Sequence, residues 1–443
     1  MIEKERVFEL AGGLIEDSPA DDTEVFFHES RGHLTRFANN TIHQNVSVTN
    51  AEVLIRVAFG KKVAVASSNT LSDAGRALQR ACEIARVSED SADYAGLPEP
   101  QPVQEVNTFD EATAVCDAMT RAARVKNVVE AAKAVDAVAA GALSTGTGLS
   151  GIVNSRGVRV AHAGTHVGLN IVMMKAGGSG TTSLKGWKLA DIDEGPAAKH
   201  VAERAVKTCD PQELDPGEYV VVLEPQAVGV LVAYLAYVGF GGKAYHEKRS
   251  FMSGKLGLRV TGPLITVTDD ALDPAGIPVP FDYEGVPKKK VTLIKKGIAA
   301  GVCYDTATAA AEHTESTGHA LPSGSTMGPF PLNLFMTGGD ATLDQMISST
   351  VKGLLVCNFH YVNVAERMKT VLTGMTRFGV FLIRDGRIAH PVKNLRVTQS
   401  VLEAFDTTSA VTSDRQLVGG LGGGMLVPGM KCDVFNFTGK TEF

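Results

Sequence analysis

The sharpest chemical string in the chain is His28-Glu29-Ser30-Arg31-Gly32-His33, two histidines with a glutamate beside the first. A zinc hydrolase needs that set: two imidazole ligands and a carboxylate base for the bound water. The spacing is five, one more than in the common helical zinc motif. On a regular helix, five steps of about 100° leave the rings roughly 140° apart, and only a π turn brings them together. The surroundings read as strand broken by an Arg31-Gly32 turn, so at most two of the three groups converge and exposed hairpin residues are expected. His162 and His166 are four apart, which would make a ligand pair on a helix. Their flanks, Val158-Arg159-Val160-Ala161 and Val167-Gly168-Leu169-Asn170, favour a strand or turn instead. His313 and His319 flank a loop, and no histidine follows His246-Glu247 at ligand spacing. His43, His200, His360 and His390 stand alone.

Phosphate loops are suggested twice and fail both times. The glycine cluster from Gly419 to Gly424 lacks a Lys-Ser/Thr ending and no helix pattern follows it. Gly439-Lys440-Thr441 ends like a P-loop, but Val434 stands where the earlier glycine belongs. No G-x-S-x-G elbow and no dinucleotide fingerprint occurs. The lysines at Lys288–Lys290 and Lys295-Lys296 are expected to solvate a strand edge.

The elements that must position these groups begin as a meander. Glu24–Ser30, His33–Ala38, Thr41–Val48, Glu52–Phe59 and Lys62–Ala66 read as short strands. Arg31-Gly32, Asn39-Asn40, Thr49-Asn50 and Gly60-Lys61 separate them as turns. A helix capped at Ser72 and carrying Leu78, Ala81, Cys82 and Ala85 on one face should cover the sheet. A Pro- and acid-rich connector from Val87 to Asn107 marks a boundary. Helical patterns from Asp110 to about Ala140 lead to strands at Gly151–Asn154 and Val158–Met174, then to a helix over Asp191–Lys207. Beyond Asp215-Pro216-Gly217 comes an apolar strand, Tyr219–Leu223. A buried helix is expected over Ala227–Phe240, and a hairpin at Asp385-Gly386. The expected class is α+β in three parts. An antiparallel meander-plus-helix domain spans 1–105, a mixed middle domain 106–212, and a large β-rich C-terminal domain 213–443.

Composition excludes several classes. The 443 residues are 44% apolar, 21% charged and 6% aromatic, a globular balance. A net charge of −6 argues against a nucleic-acid binder that works by bulk charge. The six cysteines form no C-x-x-C pair and read as reduced and mostly buried. No apolar run approaches the roughly 18 residues of a membrane span, and the first residues resemble no signal peptide, so a soluble cytoplasmic protein is expected.

Several ordered segments together resemble the TldD/PmbA family of proteins linked to peptide maturation and proteolysis. They are Leu34–Asn40, Val153–Gly157, Gly217–Leu223, Phe281–Pro287, Gly374–Arg377, Arg384–Ala389 and Pro391–Arg396, spread over nearly the whole chain. The resemblance implies a family fold built of paired, related subunits. The TldD-type subunit carries HExxxH on the helix after the Val-Val-Leu strand, with a cysteine near its C-terminus as third zinc ligand. Matching Gly229-Val230-Leu231-Val232 to that helix puts Ala233, Tyr234 and Val238 at the ligand and base positions. The cysteine position falls at about Leu421, and Cys432 lies too far on to replace it. The chain thus resembles the PmbA (TldE) type, with no catalytic or metal residue of its own and inactive alone. Substrate-binding residues stay unassigned, and His28 and His33 sit in the wrong domain for the family's site. The resemblance implies no zinc in this chain and zinc in a TldD-like partner. It further implies a heterodimer with that partner, a homodimer in isolation, and an extended peptide as substrate. Two alternatives stay open: an active metallopeptidase using His28 and His33, and a regulatory protein of the gyrase-modulator type.

Overall fold

The computed structural model describes residues 3–419 and 423–441. Its first sheet has six strands: β1 (Asp22–Ala38), β2 (Thr41–Phe59), β3 (Lys62–Ser68), β4 (Val138–Asn154), β5 (Arg159–Lys175) and β6 (Gly178–Gly186). They lie in the order β3-β2-β1-β4-β5-β6, every pair antiparallel. Five helices accompany this part: α1 (Lys4–Glu16), α2 (Ala74–Val87), α3 (Glu111–Ala114), α4 (Ala118–Ala134) and α5 (Glu194–Lys207). Alternation sorts the strands into two faces. Val25 and Phe27 of β1 and Val53, Ile55 and Val57 of β2 pack with Leu78, Ala81 and Ala85 of α2. Leu143, Leu169 and Ile171 pack with Val125, Val128 and Val201 of α4 and α5. One face is therefore covered by helices, and the other is left to the rest of the chain.

Two expected turns are absent. Arg31-Gly32 and Thr49-Asn50 lie inside the continuous strands β1 and β2, which pair with each other from Asp22↔Ala58 to Ala38↔Thr41. Gly32 has negative φ and lies opposite Val48, so a glycine read as a turn is an ordinary strand residue. The true turn is Asn39-Asn40, where both residues have positive φ (51° and 60°), the left-handed pair that a two-residue hairpin requires. The helix expected from Asp110 to Ala140 is shorter and broken. Asp110 caps α3, Asp117 caps α4, and β4 has already begun at Val138. The helix expected at Ser72 begins instead at Ala74, after a single 3₁₀ turn.

The connector from Ser88 to Asn107 carries no helix or named strand, yet β1 before it and β4 after it are neighbours over fourteen residue pairs. Past α5 the chain builds a second sheet of thirteen strands among the described residues. At its centre β7 (Gly217–Leu223) lies between Lys352–Val356, parallel to it, and Gly424–Lys440, antiparallel. The Asp385-Gly386 hairpin joins Val380–Arg384 to Arg387–Pro391 as the sequence predicts. Helix α6 (Pro225–Leu235) follows β7 with proline in its first turn, and continues as a π turn over Ala236–Phe240. Val228, Val232, Leu235, Val238 and Phe240 are all fully buried, so the expected buried helix is present. All six cysteines are free, and five are buried. Among the described residues no helix is long and apolar enough to cross a membrane.

Candidate functional site

The uncovered face of the first sheet is unusually short of side chains. Along β4, Leu143, Thr145, Thr147 and Leu149 point to the helices, while Ser144, Gly146, Gly148 and Ser150 take the other face. On β5 the same face carries His162, Gly164, His166 and Gly168. Strand pairing aligns these residues in rows. His28, Ser150 and His162 form one row, Gly32, Gly146 and His166 another, and between them Gly148 faces Gly164. The floor is thus bare backbone with imidazoles on either side. Against it the C-terminal domain sets Ile277-Pro278-Val279, Phe281, Tyr283 and Lys288, enclosing a cleft of about 430 Å³.

The glycines on this face are there for space. A Cβ on Gly146 would lie 2.4 Å from the ring of His166 and 2.6 Å from the carbonyl oxygen of Arg31. On Gly148 it would meet the His28 ring at 3.5 Å and the Glu29 carbonyl oxygen at 3.8 Å, both ordinary contacts. His28 Nδ1 is 2.9 Å from Ser150 Oγ, and His162 Nε2 is 2.8 Å from Thr108 Oγ1, which fixes both rings. Burial pushes all three imidazoles below the ordinary value, His162 to about 4. At neutral pH they are uncharged groups that can both donate and accept, suited to peptide N–H and C=O groups. His162 and His166, four residues apart on a strand, are separated by about 13 Å and cannot share an ion.

Behind the far wall lies a buried polar network. Asp282 takes the backbone N–H groups of Glu284, Val286 and Ala320, at 2.9, 3.0 and 2.8 Å. Burial first, and then the charge of Glu284, push its pKa up to about 7, against the pull of Lys288. Asp269 and His319, both fully buried, are joined at 3.0 Å. Arg56 of β2 reaches Glu24 of β1 at 2.8 Å and Glu284 of the C-terminal domain at 3.2 Å. Ser323 donates to Glu24, and Glu284 also accepts from the Thr306 backbone. This cluster latches the first sheet to the second. A second cavity of about 400 Å³ lies beside α5, where Arg204 makes a two-pronged pair with Glu224 and touches Cys357 and His200.

The HExxxH string does not converge. His28 and His33 stand five apart on one uninterrupted strand and therefore on opposite faces. His28 lines the cleft, whereas His33 bonds Ser47 on the helix side with Glu29. The α6 positions present a different surface. Ala233 is half-buried, Val238 is fully buried, and the Tyr234 hydroxyl donates to the Val362 carbonyl oxygen. The π turn that would let residues five apart share a face is present, but a methyl, a phenol and an isopropyl group do not fit zinc. The void beside Ala233 is only about 10 Å³, closed by Phe330, Pro331, Leu332 and Met425. Leu332 and Gly423 line both this void and the large cleft, and so stand between the cleft and the helix position where the resemblance expects metal. Leu421, at the expected cysteine position, lies outside the described residues. Cys432 is fully buried beside Thr408, and burial pushes its thiol up to about 12.

None of the cleft-lining residues was assigned from sequence. The usable signal was the alternation of Leu and Thr with Gly and Ser over residues 143–150. It marks a strand with one packed face and one bare face.

The chain matches the model of the PmbA/TldA metallopeptidase C-terminal domain over residues 216–439. It matches the models of domain 1 over 23–86 and of the central domain over 105–208. A TldD homologue from Haemophilus influenzae, described as a metalloprotease, is 28% identical over 231 residues, 51% of this chain and 47% of that protein. The metalloprotease PmbA of Escherichia coli O157:H7 is 24% identical over 234 residues, 52% of this chain and 49% of that one. The matched stretch thus spans about half the length of these curated relatives. TldE from Thermococcus kodakarensis has the same fold, with a TM-score of 0.88 at 20% identity over 98% of this chain and 99% of that one. So does a Thermotoga maritima protein described as a candidate modulator of DNA gyrase, with a TM-score of 0.85 at 19% identity, covering 98% and 99%. With all three domain models matched in order, the chain belongs to the PmbA/TldD metallopeptidase family.

Proposed function

We propose that this chain is the zinc-free, TldE-like subunit of a two-chain peptidase, holding an extended peptide while a TldD-like chain carries the metal and cuts. One observation carries the reading. A cleft of about 430 Å³ is kept open, with Leu332 and Gly423 between it and the α6 position, where Ala233, Tyr234 and Val238 offer no ligand. An extended chain in the cleft would lie over bare backbone at Gly148 and Gly164, with neutral imidazoles in reach of its amides. Main-chain hydrogen bonding of that kind gives affinity with little side-chain selectivity, which suits proteolysis of unfolded peptides and peptide maturation.

Co-purification from the same cell with a relative carrying HExxxH tests the proposal. The complex should hold about one zinc per pair and cleave peptides, whereas this chain alone should hold none and cleave none. Stoichiometric zinc in the isolated chain, or unchanged activity of the zinc-bearing relative with and without it, would overturn the reading.

A further inference from the structure

We propose that the outer edge of β2 over Thr41–Asn50 is a self-association surface, pairing antiparallel with the same stretch of a second copy of this chain. The inference goes beyond the two-chain reading above, since it concerns contact between copies of this chain. Strand β3 covers β2 only from Val53 to Phe59. Below that point β1 occupies the inner side, and among the described residues no backbone group is hydrogen-bonded to the outer side. The free edge is ten residues, about 34 Å at the usual rise of 3.4 Å per residue. His43, Gln44, Asn45 and every residue from Ser47 to Asn50 are exposed, Val48 by 45%.

Composition separates this edge from the others. Natural sheets guard open edges with charge, above all lysine. Strand β3 starts at Lys62, β6 carries Lys185, and of the two end strands of the second sheet one starts at Arg387 and the other, Ile298–Ala299, is only two residues long. Thr41–Asn50 contains no Asp, Glu, Lys, Arg, Pro or Gly, and is built of Thr, Val, Ile and Ser with one His, one Gln and two Asn. Such an edge is left open for a partner strand.

The occupant follows from symmetry. An antiparallel strand paired with its own copy sits on a two-fold axis and consumes both edges, so the assembly closes at two. Like charges facing each other across the axis would oppose this, and here there are none. A bound peptide fits less well. Strand addition of a substrate draws its selectivity from side-chain pockets, and neither the 430 Å³ cleft nor the 400 Å³ cavity includes a residue between Thr41 and Asn50.

Sedimentation of the full chain at micromolar concentration, beside a Gln44→Lys/Val48→Lys double variant, tests the proposal. Both positions are exposed, so the fold should be kept, as circular dichroism and an unchanged melting temperature will show. The wild type should be a dimer, and the variant should associate at least tenfold more weakly. A two-fold axis normal to the sheet keeps each side chain on its own face, so with Val46 on the axis Gln44 lies opposite Val48 of the second copy. A cysteine pair at Gln44 and Val48 gives a second measurement should the double variant misfold. Oxidation should cross-link two copies through this pair, and not through a pair at Gln44 and Ser47, whose side chains lie on opposite faces. A monomeric wild type overturns this proposal and leaves the two-chain reading to its own co-purification test. A dimer that is equally tight in the variant, or that never cross-links through these cysteines, overturns the edge alone. So does a variant that stays dimeric but no longer takes up an extended peptide.

Discussion

His162 shows at the residue scale what one burial decision does to acid stability. Its folded-state pKa is pushed down to about 4, while in the unfolded chain it titrates near the ordinary 6.5. Between those values the unfolded chain takes up a proton that the folded one refuses, so stability falls as pH falls through the window. The whole shift is worth about 3 kcal/mol. His28, His166 and His319 are lowered by burial too and act in the same direction. Asp282 acts the other way. With its folded pKa at about 7, it holds a proton that the unfolded chain has lost, so its contribution is present in acid and disappears as pH rises. Replacing His162 with Gln keeps a polar partner for Thr108 and removes the titration. The drop in melting temperature between pH 6.5 and 4.5 should be smaller in the variant than in the wild type. Equal drops would mean that His162 is not held neutral. The sequence shows eleven histidines but not which are buried, because His28 meets its partner Ser150 from 122 residues away.

At the scale of the element, β4 separates what was legible from what was not. Its last four residues read as strand from Ile and Val alone. The preceding Gly-Ser-Thr stretch lacks the β-branched bulk that signals a strand and carries no element in the sequence reading, while Val138–Ala140 falls inside the expected helical region. Tertiary pairing with β1 and β5 overrides that weak propensity. Two glycine substitutions should separate packing from function on this strand. Gly146→Ala drives a methyl against the fixed backbone oxygen of Arg31 and should destabilise the fold by about 1–3 kcal/mol. The Cβ of Gly148→Val meets the edge of His28 and the Glu29 carbonyl oxygen at ordinary contact distances, so the melting temperature should hold. Its methyl groups fill the cleft floor, and peptide affinity should fall at least tenfold in the two-chain complex. Thermal melts and peptide titrations distinguish the two variants. A Gly148→Val protein that binds peptide normally would remove the cleft from the function. Helix α6 was more legible, since an unbroken apolar run after a Val-rich strand leaves little alternative to a buried helix.

Across the whole molecule, Arg56 is the group that makes two sheets behave as one. Half-buried itself, it lies between the buried Glu24 and Glu284, which are on opposite sides of the junction. Replacing it with Met removes the bridge and leaves two buried carboxylates facing each other, a change of the kind that costs about 3–5 kcal/mol. Calorimetry should show a lower melting temperature and the single transition separating into two, one for each sheet. A single transition at the wild-type temperature would mean that the contact is incidental. The sequence marks the proline-rich connector but gives no sign that the strands on its two sides are neighbours. Pairing partners more than a hundred residues apart leave no local trace, so three segments can be read from composition while their shared sheet cannot.

The pairing of β1 with β4 also sets a timetable. Glu24 waits for Asn154, so during synthesis one edge of a seventeen-residue strand has no neighbour while more than a hundred further residues are made. At ordinary rates of 5–20 residues per second, that delay is on the order of ten seconds. A nascent chain in that interval presents an adhesive strand to everything near the ribosome. A fragment ending at residue 105 should therefore aggregate when expressed, while one extended to residue 212 should stay in solution.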